Sequence, residues 1–176
     1  MNDATQKKFF REVIEQHQGI LHKVARSYCK DEEDKQDLIQ EMLIQIWQSI
    51  PRYNNDYKIS TWLYRIALNV AISFYRKNTQ RQKPTLVNPH QAENIHPAEQ
   101  SEADQQVQIL LQFINELKVI DKALMLLHLE EKSYKEIADI TGLSETNVAT
   151  KIGRIKIQLK HKFSSINTKP LWKMPN

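Results

Sequence analysis

Glycine occurs only three times in the 176 residues, as Gly19, Gly142 and Gly153. Tight two-residue hairpin turns lean on glycine for positive φ, and glycine is also the poorest ordinary helix former, so its scarcity favours helices over sheet. No stretch alternates apolar and polar residues as a half-buried strand does, and apolar residues recur instead at helical spacing. The expected fold is all-α. A chain of this length holds one compact domain or two small ones with thin cores.

Two helical blocks separated by a polar stretch are expected. In the first, residues 1–80, a central helix begins near Asp34, an N-cap candidate with Asp37 three residues later. Leu38, Met42, Ile46 and Ile50 make its buried stripe, Pro51 ends it, and "PRYNNDYK" reads as a loop. A new helix starts at Ser60 or Thr61. From about residue 78 the character changes, and 81–104 carries three prolines, many amides and no apolar period, as a flexible linker does. The second block, 105–165, opens with a helix carrying Leu110, Phe113, Ile114 and Leu117, followed by a second in "DKALMLLHLEE". Residues 166–176 are expected to form a mobile tail, with Trp172 able to pack on the second block.

The segment "SYKEIADITGLSETNVATKIGRIKIQLK" carries the sharpest local signal. Ser133 and Glu136 form a capping-box pattern that opens a short helix with Ile137 and Ala138 inward. Gly142 stands where that helix must end in a left-handed residue, and Ser144 caps the next. Val148, Ile152, Ile155 and Leu159 then form one inward stripe, leaving Thr146, Asn147, Thr150, Lys151 and Arg154 outside. Helix, short turn, helix, with polar and basic residues near the outer N-terminal end of the second helix, is the helix-turn-helix arrangement that reads duplex DNA. The net charge of +4 is unevenly spread: from Gly142 onward there are seven Lys and Arg against one acid, Glu145. A helical hairpin with a solvated basic face is the bland alternative.

"ISTWLYRIALNVAISFYRK", residues 59–77, is apolar, aromatic and cationic at once. Leu63, Ile66, Ala67, Val70 and Phe74 fall on one face of a helical wheel, and Trp62, Arg65, Asn69 and Arg76 on nearly the opposite one. Cations for a backbone, an aromatic face for bases and an amide for base edges suit unpaired nucleic acid. The preceding loop adds Tyr53, Asn54, Asn55 and Tyr57. A Trp62 that simply packs in the core remains the competing reading.

Other chemistry finds little support. The glycines are too scattered for a phosphate-cradling loop. His17, His22, His90, His96, His128 and His161 show no ligand spacing, so no metal, cofactor or catalytic site is expected. Cys29, the only cysteine, fits a reducing compartment and a half-buried apolar role. No secretory signal or membrane-spanning run is evident, and a cytoplasmic protein is expected.

Taken together, "DEEDKQDLIQEMLIQIWQ", the 59–77 segment and "INELKVIDKALMLLHLEEKSYKEIADITGLSETNVATKIGRIKIQLK" resemble a bacterial extracytoplasmic-function (ECF) sigma factor over residues 15–80 and 107–163. The resemblance implies a dissociable initiation subunit of RNA polymerase that serves a specialised stress or envelope-response gene set. Asp37, Gln40, Glu41, Gln45 and Gln48 would dock on the clamp helices of the largest polymerase subunit. Asn54, Asn55, Tyr57, Trp62, Arg65, Asn69 and Arg76 would recognise and melt the minus-ten element. The second block would read the minus-thirty-five element through Thr146, Asn147, Thr150, Lys151 and Arg154. The linker would thread toward the RNA exit path, and an anti-sigma factor, in some relatives at the inner membrane, would hold the protein inactive.

The chain departs from the family where a Leu-Pro pair often stands, having Leu117 and Lys118, and at the start of the recognition helix, "ETNVATKIGR". These changes leave the fold intact and the minus-thirty-five preference open. A built-in ligand-sensing extension and a small-molecule substrate are not expected. The alternative from a different class is a dimeric helix-turn-helix transcriptional regulator, which binds palindromic DNA without polymerase.

Overall fold

The computed structural model describes residues 3–81 and 102–167, so most of the expected linker and tail, with His90, His96 and Trp172, lies outside the described residues. Within them the chain runs α1 (Asp3–Tyr28), α2 (Glu32–Ser49), a 3₁₀ turn (Ile50–Arg52), α3 (Ile59–Arg81), α4 (Glu102–Asn115), α5 (Val119–Leu129), α6 (Tyr134–Thr141) and α7 (Glu145–Asn167). The all-α expectation holds.

The first three helices pack on one another as a bundle. Helix α1 was not anticipated, although Val13, Leu21, Val24, Ala25 and Tyr28 bury one face at helical spacing. Leu38, Met42 and Ile46 of α2 meet them, together with Leu63 and Ala67 of α3, all closed to solvent. The helix boundaries differ slightly from expectation. Asp31, not Asp34, takes the extended cap position of α2, and Asp34 lies in the first turn. Four neighbouring residues, "DEED", offer a carboxylate to the same helix end, so composition alone did not choose among them. Helix α3 starts at Ile59, ahead of Ser60 and Thr61, because the Lys58 carbonyl already accepts the Trp62 N–H at 3.1 Å. Pro51 stands in the 3₁₀ turn that follows α2, where its missing N–H costs nothing.

In the second block Leu124, Leu127, Ile137, Val148 and Ile152 form the fully buried centre. Helix α4 is anchored by Ile114, and Phe113 meets Phe163 edge to face at 5.3 Å. On α6, Ile137 is buried as expected, but its companion is Ile140, one turn on, while Ala138 is half-buried.

The blocks also pack against each other, with α5 on α1 and α3, and α6 along α3. Tyr28 donates its hydroxyl to the Val119 carbonyl at 2.9 Å. At the α5–α6 turn, Lys23 Nζ and the Tyr64 hydroxyl both donate to Glu130 Oε2, at 2.6 and 3.1 Å. Lys132 lies over the Tyr64 ring at 5.7 Å, and Lys58 Nζ is 3.5 Å from Glu136 Oε1.

Gly142 adopts φ 74°, closing α6 in the left-handed region with its N–H bonded to the Ala138 carbonyl. A methyl group there meets nothing within 4 Å, so the cost of substitution is purely conformational. Gly142→Ala is expected to destabilise the protein by about 1 kcal/mol without rearrangement, measured by denaturant unfolding. No loss would mean that the turn readily adopts another geometry.

Candidate nucleic-acid and partner surfaces

The helix-turn-helix is built by local chemistry. Ser133 Oγ accepts the Glu136 N–H at 3.2 Å, and the Glu136 carboxylate accepts the Ser133 N–H at 3.0 Å. These bonds from the Ser133 N–H and hydroxyl, aided by Lys58, hold the Glu136 carboxyl below its ordinary pKa. Ser144 Oγ accepts the Asn147 N–H at 3.3 Å and so caps α7. Val148, Ile152, Ile155 and Leu159 are all buried, as the spacing requires.

Thr146, Asn147, Thr150 and Arg154 are exposed on the outer face of α7. Lys151 departs from them. It is half-buried, and its ammonium lies 3.7 Å from Asp121 of α5, because at its position on the helix it meets the neighbouring helix. The Thr150 hydroxyl donates to the Thr146 carbonyl at 2.9 Å, which leaves its oxygen free to accept from a ligand.

On α3, Arg65, Asn69 and Arg76 share one exposed stripe, as the wheel predicts. Trp62 is half-buried rather than free. Its indole lies 4.8 Å from the Tyr53 ring, which stacks at 5.8 Å on Phe9 of α1. Trp62 therefore packs on one side, and the remainder reaches the surface beside the loop. That loop is internally braced. The Tyr53 hydroxyl donates to the Tyr57 carbonyl at 3.0 Å, and the Asn54 side-chain amide donates to Asp56. Asn55 takes φ 62°, which asparagine tolerates better than most residues, and Tyr57 stays exposed.

The buried arc of α3 is rotated from the one the sequence suggests. Tyr64, Leu68 and Ala71 are buried with Leu63 and Ala67, while Ile66, Val70 and Phe74 are only half-buried against the core. Tyr64 meets the α5–α6 turn, and burial, reinforced by Glu130, raises its phenol pKa well above the ordinary value.

On α2, Asp37, Gln40, Gln45 and Gln48 are exposed. Glu41 is half-buried, with Lys77 of α3 3.9 Å away. Between Gln40 and Gln48, one turn from each, Ile44 is 48% exposed. Its spacing from those two glutamines is the only signal of this position in the sequence. An apolar side chain framed by polar ones is what the centre of a protein interface needs.

Two family models match in order along the chain: Sigma-70 region 2 over residues 13–81 and Sigma-70 region 4 over residues 107–159. The ECF RNA polymerase sigma factor SigM of Bacillus subtilis is 28% identical over 152 residues, 85% of this chain and 91% of that protein. The RNA polymerase sigma factor SigV of the same organism is 27% identical over 160 residues, 88% of this chain and 93% of that protein. The chain belongs to the ECF sigma factors. Promoter recognition and transcription initiation follow from that membership, and the dimeric regulator finds no support in these matches.

The fold of this sigma factor is shared with the sigma factor RpoE of Bartonella quintana, solved with the anti-sigma factor NepR. The TM-score is 0.70 at 21% identity, covering 89% of this chain and 98% of that one. CnrH, solved with the cytosolic domain of CnrY, superposes with a TM-score of 0.65 at 21% identity, covering 90% of each chain.

Family membership is consistent with a non-catalytic role. Among the described residues, no helix is long and apolar enough to cross a membrane, and no group of His, Cys, Asp and Glu could hold a metal. Cys29 is buried rather than half-buried, and burial, with Asp34 nearby, pushes its thiol up to about 11. A thiol so placed stays protonated near neutral pH and is a poor nucleophile.

Proposed function

We propose that this sigma factor works through three separate surfaces. The outer face of α2, with Asp37, Gln40, Glu41, Gln45 and Gln48 around Ile44, docks on the clamp helices of core RNA polymerase. The α3 stripe and its loop, with Arg65, Asn69, Arg76, Trp62, Asn54, Asn55 and Tyr57, engage the minus-ten element as it melts. The outer face of α7, with Thr146, Asn147, Thr150 and Arg154, reads the minus-thirty-five duplex, and Lys151 reaches DNA only by leaving Asp121. The four regions are an N-terminal domain to about residue 80, a linker over 81–104, a C-terminal domain over 105–165 and a tail. The protein catalyses nothing itself. It acts in the cytoplasm on a specialised stress or envelope-response gene set, and an anti-sigma factor holds it inactive. That two fold relatives were solved with partner proteins bound, one of them an anti-sigma factor, supports the last point.

The observation that carries this reading is the exposed stripe of Arg65, Asn69 and Arg76, two cations and an amide turned to solvent on one face of α3. Asn69→Ala and Trp62→Ala are each expected to lower permanganate reactivity of promoter thymines by about tenfold, the scale of one lost base contact. Binding to fully duplex promoter by the polymerase complex should change far less. A parallel loss in both assays would remove these residues from strand capture.

A further inference from the structure

Of the five side chains expected to face DNA on α7, four are exposed and Lys151 is not. Asn147, Lys151 and Arg154 follow at steps of four and three, so the helix sets them side by side on one flank. Asn147 and Arg154 reach solvent, while Lys151 between them turns to Asp121 of α5. The charged groups lie 3.7 Å apart, with the Asp121 side chain only 24% exposed and that of Lys151 36%. An ion pair so far out of water is screened less by salt than one on the open surface.

The two partners are not equally bound to each other. Asp121 stands in the first turn of α5, where the Lys118 cap position makes no side-chain bond and a helix start favours a carboxylate. It is therefore well placed even without Lys151. Lys151 is the mobile member, since its ammonium ends a flexible four-carbon stem and can turn outward along the α7 face. Duplex DNA on that face offers it phosphate oxygens and guanine O6 and N7.

We propose that Asp121 is a restraint on DNA reading: it competes with promoter acceptors for the Lys151 ammonium and so sets the duplex affinity of α7. The restraint rests on the reading of α7 as the helix that meets the minus-thirty-five duplex. An ammonium withheld from DNA displaces no counterion, and binding to duplex is weaker for it. Less of the affinity then comes from sequence-blind phosphate contact, which leaves a larger share to base edges.

The test measures binding of the polymerase complex to fully duplex promoter across a range of salt. Asp121→Asn, which keeps the size of the side chain, is expected to bind about three- to tenfold tighter at low salt. The same change in a Lys151→Met background is expected to bring no gain. Should Asp121→Asn fold poorly by circular dichroism, Asp121→Ser repeats the test with another polar side chain at the helix start. A gain on every duplex, with the slope of log K against log salt steeper by roughly 0.9, assigns the released ammonium to phosphate. A gain confined to promoters with guanine at one position assigns it to a base edge. A pair that serves the fold alone would instead lose stability and leave DNA affinity unmoved, which would overturn the restraint. So would a gain that survives in Lys151→Met, since Asp121 would then merely repel DNA.

Arg154→Glu in the same assay separates the restraint from the reading of α7. Weaker binding by Arg154→Glu, beside unchanged binding by Asp121→Asn and Asp121→Ser, sinks the restraint alone. No change in any of the three removes α7 from the DNA interface and sinks both.

Discussion

Replacing Ile44 with aspartate is expected to raise the Kd for core RNA polymerase by at least about thirtyfold, a loss of about 2 kcal/mol typical of a central interface residue. Ile44 is 48% exposed and lies on the face of α2 turned away from Leu38, Met42 and Ile46, so the fold should survive the change. A charge there would stand unpaired in a desolvated centre, surrounded by Asp37, Gln40 and Gln48. Asp37→Ala together with Glu41→Ala should act in the same direction more weakly. Glu41 already has Lys77 as a neighbour at 3.9 Å, and rim charges mostly tune association rate. Titration of labelled protein with core polymerase measures both. Undiminished binding by Ile44→Asp would place the docking surface elsewhere on the molecule.

Arg154→Glu is expected to weaken binding of the polymerase complex to duplex promoter by about ten- to a hundredfold at low salt. It should also reduce the slope of log K against log salt by roughly 0.9 or more, the contribution of one neutralised phosphate. Arg154 stands on the exposed face of α7, while its neighbours Ile152 and Ile155 are buried, so stability should hardly change. Loss of affinity with an unchanged slope, confined to promoters with one base at a given position, would assign Arg154 to base reading instead. An unaltered affinity would remove it from the interface.

Much of the second block was legible because its rules are local. A serine and a glutamate three apart, a glycine where positive φ is needed, and four apolar residues at helical spacing specify α6, the turn and α7 almost without reference to the rest of the chain. Every one of Val148, Ile152, Ile155 and Leu159 is buried. The first block was legible in α2 and α3 but not in α1, whose apolar residues are spread over 26 positions among many charges. Only the partner helices show which of its faces is inward.

Tertiary partners explain the remaining differences. Lys151 belongs to the outer basic set by sequence spacing, yet Asp121, thirty positions earlier, takes it. Tyr64 reads as an ordinary aromatic between Trp62 and Arg65, and its burial follows only from Glu130 in the other block. Ile44 does not stand out in the sequence for the opposite reason: an exposed apolar residue is common on any surface, and it gains meaning only within a ring of polar side chains. Trp62 shows the limit most plainly. Its position on the wheel places it with Arg65 and Asn69, while Tyr53 draws one side of the ring toward Phe9.

The most direct test of the sigma-factor account is runoff transcription with purified protein and bacterial core polymerase, on upstream fragments of the genome that encodes the chain. Discrete starts that appear only when the protein is added, preceded by asymmetric paired elements near minus ten and minus thirty-five, are the predicted result. Absence of such starts, with tight binding to a palindromic fragment in the absence of polymerase, would contradict it.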